Sequence, residues 1–479
     1  MTGEDALPDL WFGRLGRNLW FSAVSFGLRI GVHVLLIVLA ARVLSTQAFG
    51  QYTLAIALGS ICVVLCDYGF NFLVTREIAR DRAAAATLLP SGALAKGALS
   101  LAALALLGVT LALLGATGPV VAASVIITLS FAANSYGTYL TAAFKGLQRF
   151  DAETLSYVGL YGVLFVSQAI VLWLAPSPVN LALCFLGARL VYLVVCVALY
   201  ARVVGVSWAR PSPGEAWRMV VQSSPFALYA LSAALSLQLG TVLLSYFSGE
   251  AAVGEFQQAL RFGMAAAIPL AIAEDVFYAF LADVRARAAD QFARRLVLLN
   301  KVGATVIVVL TVAILLYAPE LVRAAYGGRT APVVGTSLRV VMGAYCCLYL
   351  LFVSPPLMAL GRDRANLTLW GLGAAVNVAA NLLLIPAWGV LGAAWSLFVT
   401  YAAIKLMFLG YMWRLRVPVA DWDLVARAVL PLAAAGVILR ALDLGAAAGL
   451  TLLAAVAGLV VWSLAPRGRW GQVLRSAGP

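Results

Sequence analysis

Charge is scarce in this chain. Of 479 residues only 11% are Asp, Glu, Lys or Arg, well under the roughly 25% of a soluble domain, while 63% are hydrophobic. Mean hydropathy is +0.97. That deficit excludes a series of soluble domains and leaves a string of membrane-spanning helices. Histidine is scarcer still, with His33 the single instance. Cysteine is present at six positions (Cys62, Cys66, Cys184, Cys196, Cys346, Cys347), each inside an apolar run. None has metal-ligand spacing, and no outer domain exists for disulfides to staple. The cysteines read as small buried hydrophobes, and neither a metal nor a resident cofactor is expected. Acidic residues are also short, 20 against 33 basic ones, for a net charge of +13. In a soluble protein that excess points to nucleic acid. In a membrane protein it points instead to loops on the cytoplasmic side, so no nucleic-acid partner is expected.

What the chain does have is apolar runs. They cover 18–44, 47–71, 88–115, 119–143, 154–175, 179–201, 222–247, 254–281, 296–317, 335–360, 365–385, 388–412, 424–441 and 445–465. Each is long enough to cross a bilayer as a helix, predicting an all-α polytopic protein of about 14 transmembrane helices. The first run is too long and too polar for a cleaved signal peptide and is expected to be retained. An even number of passes puts both termini on one side. Arg42, Arg323, Arg329, Arg339 and Arg440 fall on the far side, and Arg29, Arg189, Arg261 and Lys405 fall within helices. Every other Lys and Arg, Lys96 included, is assigned to the side of the N-terminus. The bias predicts a bacterial cytoplasmic (inner) membrane protein with cytoplasmic termini. Loops on the far side are short, the longest being APELVRAAYGGRTAPVV (318–334), so no extracytoplasmic domain is present.

The runs form two related halves. Ala48-Phe49-Gly50-Gln51-Tyr52 and Ala252-Val253-Gly254-Glu255-Phe256 stand 204 residues apart, each glycine expected to permit a tight outer turn. Inner loops 144–155 and 358–369 are loosely alike. The expected organisation is a cytoplasmic N-terminus (1–17), a six-helix lobe (18–201), a linker (202–221), a second six-helix lobe (222–412), a further helix pair (413–465) and a cytoplasmic C-terminus (466–479). Six helices separate the copies, so both lobes share one orientation, a transporter layout with its site near the midplane between the repeats.

Polar chemistry inside the runs is sparse and therefore informative. Ser22, Ser25, Arg29 and His33 share one face of the first helix. A central arginine costs roughly 2.5–3.5 kcal/mol on insertion scales and should face a protein interior or a wet cavity. The eighth run repeats the pattern with Gln257, Arg261 and Asp275 near one face and Pro269 between them; Glu274 lies about 100° round. Arg189 and Lys405 lie inside the sixth and twelfth runs, where snorkelling or a structural pair competes with a cavity role. Asp67 stands near the inner end of the second run, where pairing with Arg76 or Arg80 is expected. Ser124, Thr128, Ser135 and Tyr139 in the fourth run, and Asn377 and Asn381 in the eleventh, read more readily as helix–helix contacts than as ligand contacts. Arginine forks suit phosphate oxygens, so Arg29, Arg261, His33, Lys405 and Arg189 are candidates for binding an anionic, phosphate-bearing substrate. Asp275, Glu274 and Asp67 are candidates for ion coupling or gating, with a proton or sodium as the ion.

Four segments stand in register with one family. AARVLSTQAFGQYTLA (40–55), CDYGFNFLVTREIAR (66–80), AAFKGLQRF (142–150) and NVAANLLLIPAWGVLGAAWS (377–396) resemble the Wzx-type lipid-linked oligosaccharide flippases of the multidrug/oligosaccharidyl-lipid/polysaccharide exporter superfamily. The resemblance runs over nearly the whole chain. It departs at Ser45, where the family usually has glycine, and at Phe280-Leu281-Ala282, which lacks a common proline. It implies a two-lobed bundle moving undecaprenyl-pyrophosphate-linked oligosaccharide across the membrane by alternating access, with helices 1, 2, 7 and 8 lining the cleft. The implied partners are membrane lipids and a glycan polymerase or assembly complex. Two other functions compete. An ion-coupled exporter of another small molecule or lipid would need an acidic, aromatic cavity. A membrane polymerase or ligase would need a large catalytic outer loop, which is lacking, so no enzyme activity is expected.

Overall fold

The computed structural model describes residues 31–147, 149–203, 210–328, 330–420, 430–442 and 445–464. Among these, regular structure is helical throughout. The helices are α1 (Gly31–Val43), α2 (Thr46–Asp67), α3 (Phe70–Arg80), α4 (Ala85–Leu113), α5 (Pro119–Gly146), α6 (Phe150–Leu174), α7 (Pro178–Val203) and α8 (Pro213–Arg287). They continue with α9 (Phe292–Tyr326), α10 (Pro332–Tyr349), α11 (Ser354–Ala359), α12 (Asp363–Arg414), α13 (Leu430–Ala441) and α14 (Ala446–Leu464). Nine helices among the described residues are long and apolar enough to cross a membrane, and three shorter apolar ones join them.

Two of the nine are double. At a 1.5 Å rise, the 75 residues of α8 would extend about 110 Å, against a hydrocarbon core of about 30 Å. The helix is interrupted at Gly249 (φ 81°, ψ 179°), a backbone state that residues with a Cβ avoid. α12 is interrupted at Gly389 (φ 53°, ψ −122°) and doubles back there. Asn377 Nδ2 reaches Thr400 Oγ1 at 3.2 Å across that hairpin. Counting each as two passes brings the total to the fourteen expected from the apolar runs.

The second run is not one straight helix. α2 ends at Asp67, then Tyr68 (φ 46°) and Gly69 (φ 78°) take left-handed backbone states before α3 begins. α3 is amphipathic: Phe70, Leu73, Val74 and Ile78 are buried while Arg76 and Arg80 are exposed. At its other end, α2 is capped by Ser45, whose Oγ accepts from the Ala48 N–H at 3.2 Å. A serine here supplies the N-terminal stop signal by hydrogen bonding.

The chain divides by its contacts into two compact units, Met1–Gly254 and Glu255–Pro479. The division falls inside α8, whereas the sequence repeat begins its second half at 222. The physical link is local: Met219 is fully buried beside Gly92, and the Ser212 N–H donates to Ser91 Oγ at 3.0 Å. Unit 1 is built around α5, which packs against α2, α3, α4 and α7. The buried polar stripe of the fourth pass (Ser124, Thr128, Ser135, Tyr139) faces this interior. In unit 2, α10 packs on α9 and on the α12 hairpin, and α13 and α14 lie against α9. The outer surface of these helices is leucine and valine, with Leu101, Leu113 and Leu383 exposed, a surface matched to lipid rather than water. Trp173 and Trp217 in unit 1, and Trp388 and Trp413 in unit 2, are exposed near span ends, where indole rings suit a headgroup layer.

The repeated glycines do not form turns. Gly50 lies inside α2 and Gly254 inside α8, and the two meet within unit 1. A Cβ on Gly50 would fall 1.8 Å from the Glu250 carbonyl oxygen, and one on Gly254 would fall 2.1 Å from the Thr46 carbonyl oxygen. Residues 46 and 250, like 50 and 254, are 204 apart, so the repeat makes this crossing symmetrical. Gln51 Nε2 and Gln47 Nε2 donate to Glu250 Oε2 at 2.7 and 3.3 Å across it. Because the obstacle is backbone, neither side can yield by rotating a side chain. Gly50→Ala and Gly254→Ala should each destabilise the protein by about 1–3 kcal/mol, read as a lowered melting midpoint in detergent. Gly108→Ala, where nothing lies within 4 Å, should match wild type.

Candidate functional site

Membrane-embedded charges gather inside each unit. In unit 1, Lys96 has no exposed surface. Its Nζ donates to the Cys66 carbonyl at 2.9 Å and lies 3.6 Å from Asp67 Oδ1. Ser135 Oγ donates to the same carboxylate oxygen at 2.5 Å. The rings of Phe70 and Tyr139 stand 5.6 and 5.3 Å from the ammonium. The expected pairing of Asp67 with Arg76 or Arg80 is therefore corrected: both arginines lie beside Glu77, at 2.9 and 3.6 Å. The left-handed turn at Tyr68-Gly69 separates Asp67 from α3, leaving the carboxylate turned toward α4 and α5. Lys96 is likewise not a loop residue of the positive side. Its place within the apolar run 88–115, opposite an aspartate one helix away, was the signal for its burial.

Arg189 on α7 also points into unit 1. Its Nη1 donates to Ser130 Oγ at 2.7 Å, and its guanidinium lies 4.2 and 4.7 Å from the rings of Phe131 and Phe185. Nearby, Gln168 donates to Tyr52 Oη at 3.1 Å. Asp67 lies within electrostatic reach of Arg189, as do Tyr52 and Tyr161. His33 on α1 is half-buried. Arg29 and the side chain of Asp275 lie outside the described residues.

In unit 2, Arg261 on α8 is half-buried, within electrostatic reach of Tyr326 and Tyr345. Tyr326 Oη donates to the Gln258 carbonyl at 2.9 Å, which ties α9 to α8 one turn before the arginine. Gly263 admits Val341 and Tyr345 of α10 against α8. Lys405 occupies a different place. Its Nζ donates to the Leu351 carbonyl in the break between α10 and α11 and lies within electrostatic reach of Glu274. Asn300, fully buried, completes the break: its Oδ1 accepts from the Phe352 N–H and its Nδ2 donates to the Val419 carbonyl, both at 2.7 Å. Sequence reasoning missed Asn300, because a lone asparagine in an apolar run does not reveal which backbone it will cap. Within the α12 hairpin, Asn381 Nδ2 donates to Asn377, whose own Nδ2 donates to Thr400 Oγ1.

Long apolar helices with breaks met by buried lysines and an asparagine are the features of a polytopic membrane protein. The fold is that of the multidrug/oligosaccharidyl-lipid/polysaccharide exporter superfamily. The lipid II flippase MurJ in an inward closed conformation matches with a TM-score of 0.68 at 12% identity, covering 93% of this chain and 98% of that one. An inward-facing multidrug resistance MATE family transporter matches at 0.64 and 16% identity, covering 82% and 94%. A superfamily transporter from Pyrococcus furiosus matches at 0.51 and 16% identity, covering 86% and 96%. No curated protein matches the chain. Residues 15–278 match the family described as polysaccharide biosynthesis protein, and the chain belongs to that family.

The Arg189 contacts predict a stability phenotype. Arg189→Lys keeps the charge but loses the planar stack on two rings, and should cost about 1–2 kcal/mol. Arg76→Lys, at an exposed pair, should be neutral. Melting midpoints of the purified variants decide, and equal midpoints for Arg189→Lys and wild type would show the stack to be unimportant.

Proposed function

We propose that this transporter flips undecaprenyl-pyrophosphate-linked oligosaccharide across the bacterial cytoplasmic membrane by alternating access, for cell-surface polysaccharide assembly. The observation that carries the reading is a guanidinium inside a membrane span, half-buried Arg261, in a chain of the polysaccharide biosynthesis family. Arg29 on the first pass is its partner in this reading. Two arginine forks suit the non-bridging oxygens of a pyrophosphate, with paired hydrogen bonds that a lysine cannot reproduce. His33, four residues beyond Arg29 in the sequence, adds a further donor in this reading. In this reading the polyprenyl tail stays with lipid and the glycan is kept from it. A similar fold in a protein named as a lipid II flippase supports a lipid-linked substrate.

Arg189 and Lys405 take supporting roles in this reading, because both are already engaged within their units. The termini lie on the cytoplasmic side, following the basic loops. A glycan polymerase or assembly complex receives the product. A ligand shifts a two-state equilibrium only by its differential affinity for the two states. Direction therefore comes from consumption of the flipped glycan or from an ion gradient acting through Asp275.

In vesicles reconstituted with lipid-linked glycan, Arg29→Ala and Arg261→Ala should each lower the flipping rate at least tenfold, the loss expected from removing one charge-assisted contact of about 1.5–3 kcal/mol. Arg→Lys at either position should recover part of it. Wild-type rates in both alanine variants would sink the anion-site reading. Equal loss for a neutral, unphosphorylated lipid probe would favour export of another molecule.

A further inference from the structure

Two helices end in a break of the helical path, one in each unit, and each break is met by a lysine from another helix. In unit 1, α2 stops at Asp67 and the lysine is Lys96 of α4. In unit 2, α10 stops at Tyr349 and the lysine is Lys405 of α12. The surroundings correspond. Each ammonium donates to a carbonyl oxygen at the end of the interrupted helix, Cys66 in one and Leu351 in the other. Lys96 lies 3.6 Å from the Asp67 carboxylate, and Lys405 is within electrostatic reach of Glu274. Both lysines are buried, Lys96 completely and Lys405 to 8% exposure.

The chemistry of such a pocket is that of a cation site. A helix C-terminus carries the negative end of the macrodipole and carbonyls without intrahelical partners. Here a buried ammonium, Lys96 in unit 1 and Lys405 in unit 2, donates to one of those carbonyls where water would otherwise do so. Adding a carboxylate, the Ser135 hydroxyl held by that carboxylate, and the faces of Phe70 and Tyr139 makes the unit 1 pocket attractive to a single positive charge. Carbonyl, carboxylate and hydroxyl oxygens are the donors that a hard metal cation takes. The breaks are not related by the 204-residue repeat, since one lies in the second pass and the other in the tenth. The same solution therefore occurs twice independently in this chain.

We propose that each broken span is a monovalent-cation site filled by the protein's own lysine ammonium, so that Asp67 and Glu274 take up no free metal ion during transport. The lysine is a tethered ion: it neutralises the helix end and the carboxylate, and it cannot be diluted away. This assignment is independent of the substrate. It would stand if the transported molecule proved not to be a pyrophosphate-linked glycan, because its readout is cation dependence and not flipping.

Cutting the tether should convert the site into one that needs a free cation. Melting midpoints of purified wild type, Lys96→Ala and Lys96→Arg are compared in sodium chloride and in choline chloride at equal ionic strength, choline being too large for the vacated pocket. In choline, Lys96→Ala should melt about 5–10 °C below wild type, as for a buried pair that has lost one partner. Sodium should restore at least half of that loss, while the sodium–choline difference in wild type and Lys96→Arg stays small. Adding Asp67→Asn to Lys96→Ala should abolish the sodium response. A sodium–choline difference no larger in Lys96→Ala than in wild type overturns the proposal, as does a response that survives Asp67→Asn. If Lys96→Ala yields no folded protein in either salt, Lys405→Ala is judged by the same comparison.

Discussion

A backbone group that leaves the helical ladder inside a bilayer has no water to turn to. Much of this structure follows from that constraint. Interruptions at Asp67–Phe70 and at Leu350–Val353 free carbonyl and amide groups among buried neighbours, Cys66 and Phe70 in one case and Phe352 and Val353 in the other. Lys96, Lys405 and Asn300 are the side chains that satisfy them. Their burial would be costly elsewhere, and here it is compensated by hydrogen bonds to the opened backbone. The aromatic faces around Lys96 and Arg189 provide the remaining stabilisation of charge.

The same constraint separates the cationic residues into two groups. Lys96, Lys405 and Arg189 each donate to a carbonyl or hydroxyl oxygen of their own unit. Arg261 stands on a membrane-spanning helix, half-buried and within electrostatic reach of two tyrosines. The first three, bonded in this way, tie the helices of each unit together.

Close backbone approach is the other organising feature. Small residues let membrane helices gain packing contacts, since lipid offers no hydrophobic drive for helices to associate. Gly50 and Gly254 show this at α2 and α8, and Gly392 does so within the α12 hairpin, where a Cβ would lie 2.0 Å from the Leu384 carbonyl oxygen. The repeat motif was legible as a pair of glycines 204 residues apart. Its purpose was not, because a sequence offset does not say that two copies of a motif touch.

The sequence by itself determined the class, the number of passes and the two-fold repeat. Those depend on hydropathy and length, which are local properties: about twenty apolar residues cross a bilayer wherever they occur. It also singled out Arg189, Arg261, Lys405 and Asp67 inside apolar runs, where a membrane makes a charge anomalous, while Lys96 reads as a loop residue. Only the tertiary structure decided what those charges touch. Asp67 is nearer in sequence to Arg76 and Arg80 than to Lys96, yet a two-residue left-handed turn at Tyr68-Gly69 directs it to the lysine. Lys405 reads as a cavity charge until the break in α10 places a carbonyl oxygen in front of it. Partners of a buried charge are set by where helices break and which helices pack together, and neither is written in the hydropathy of a single run.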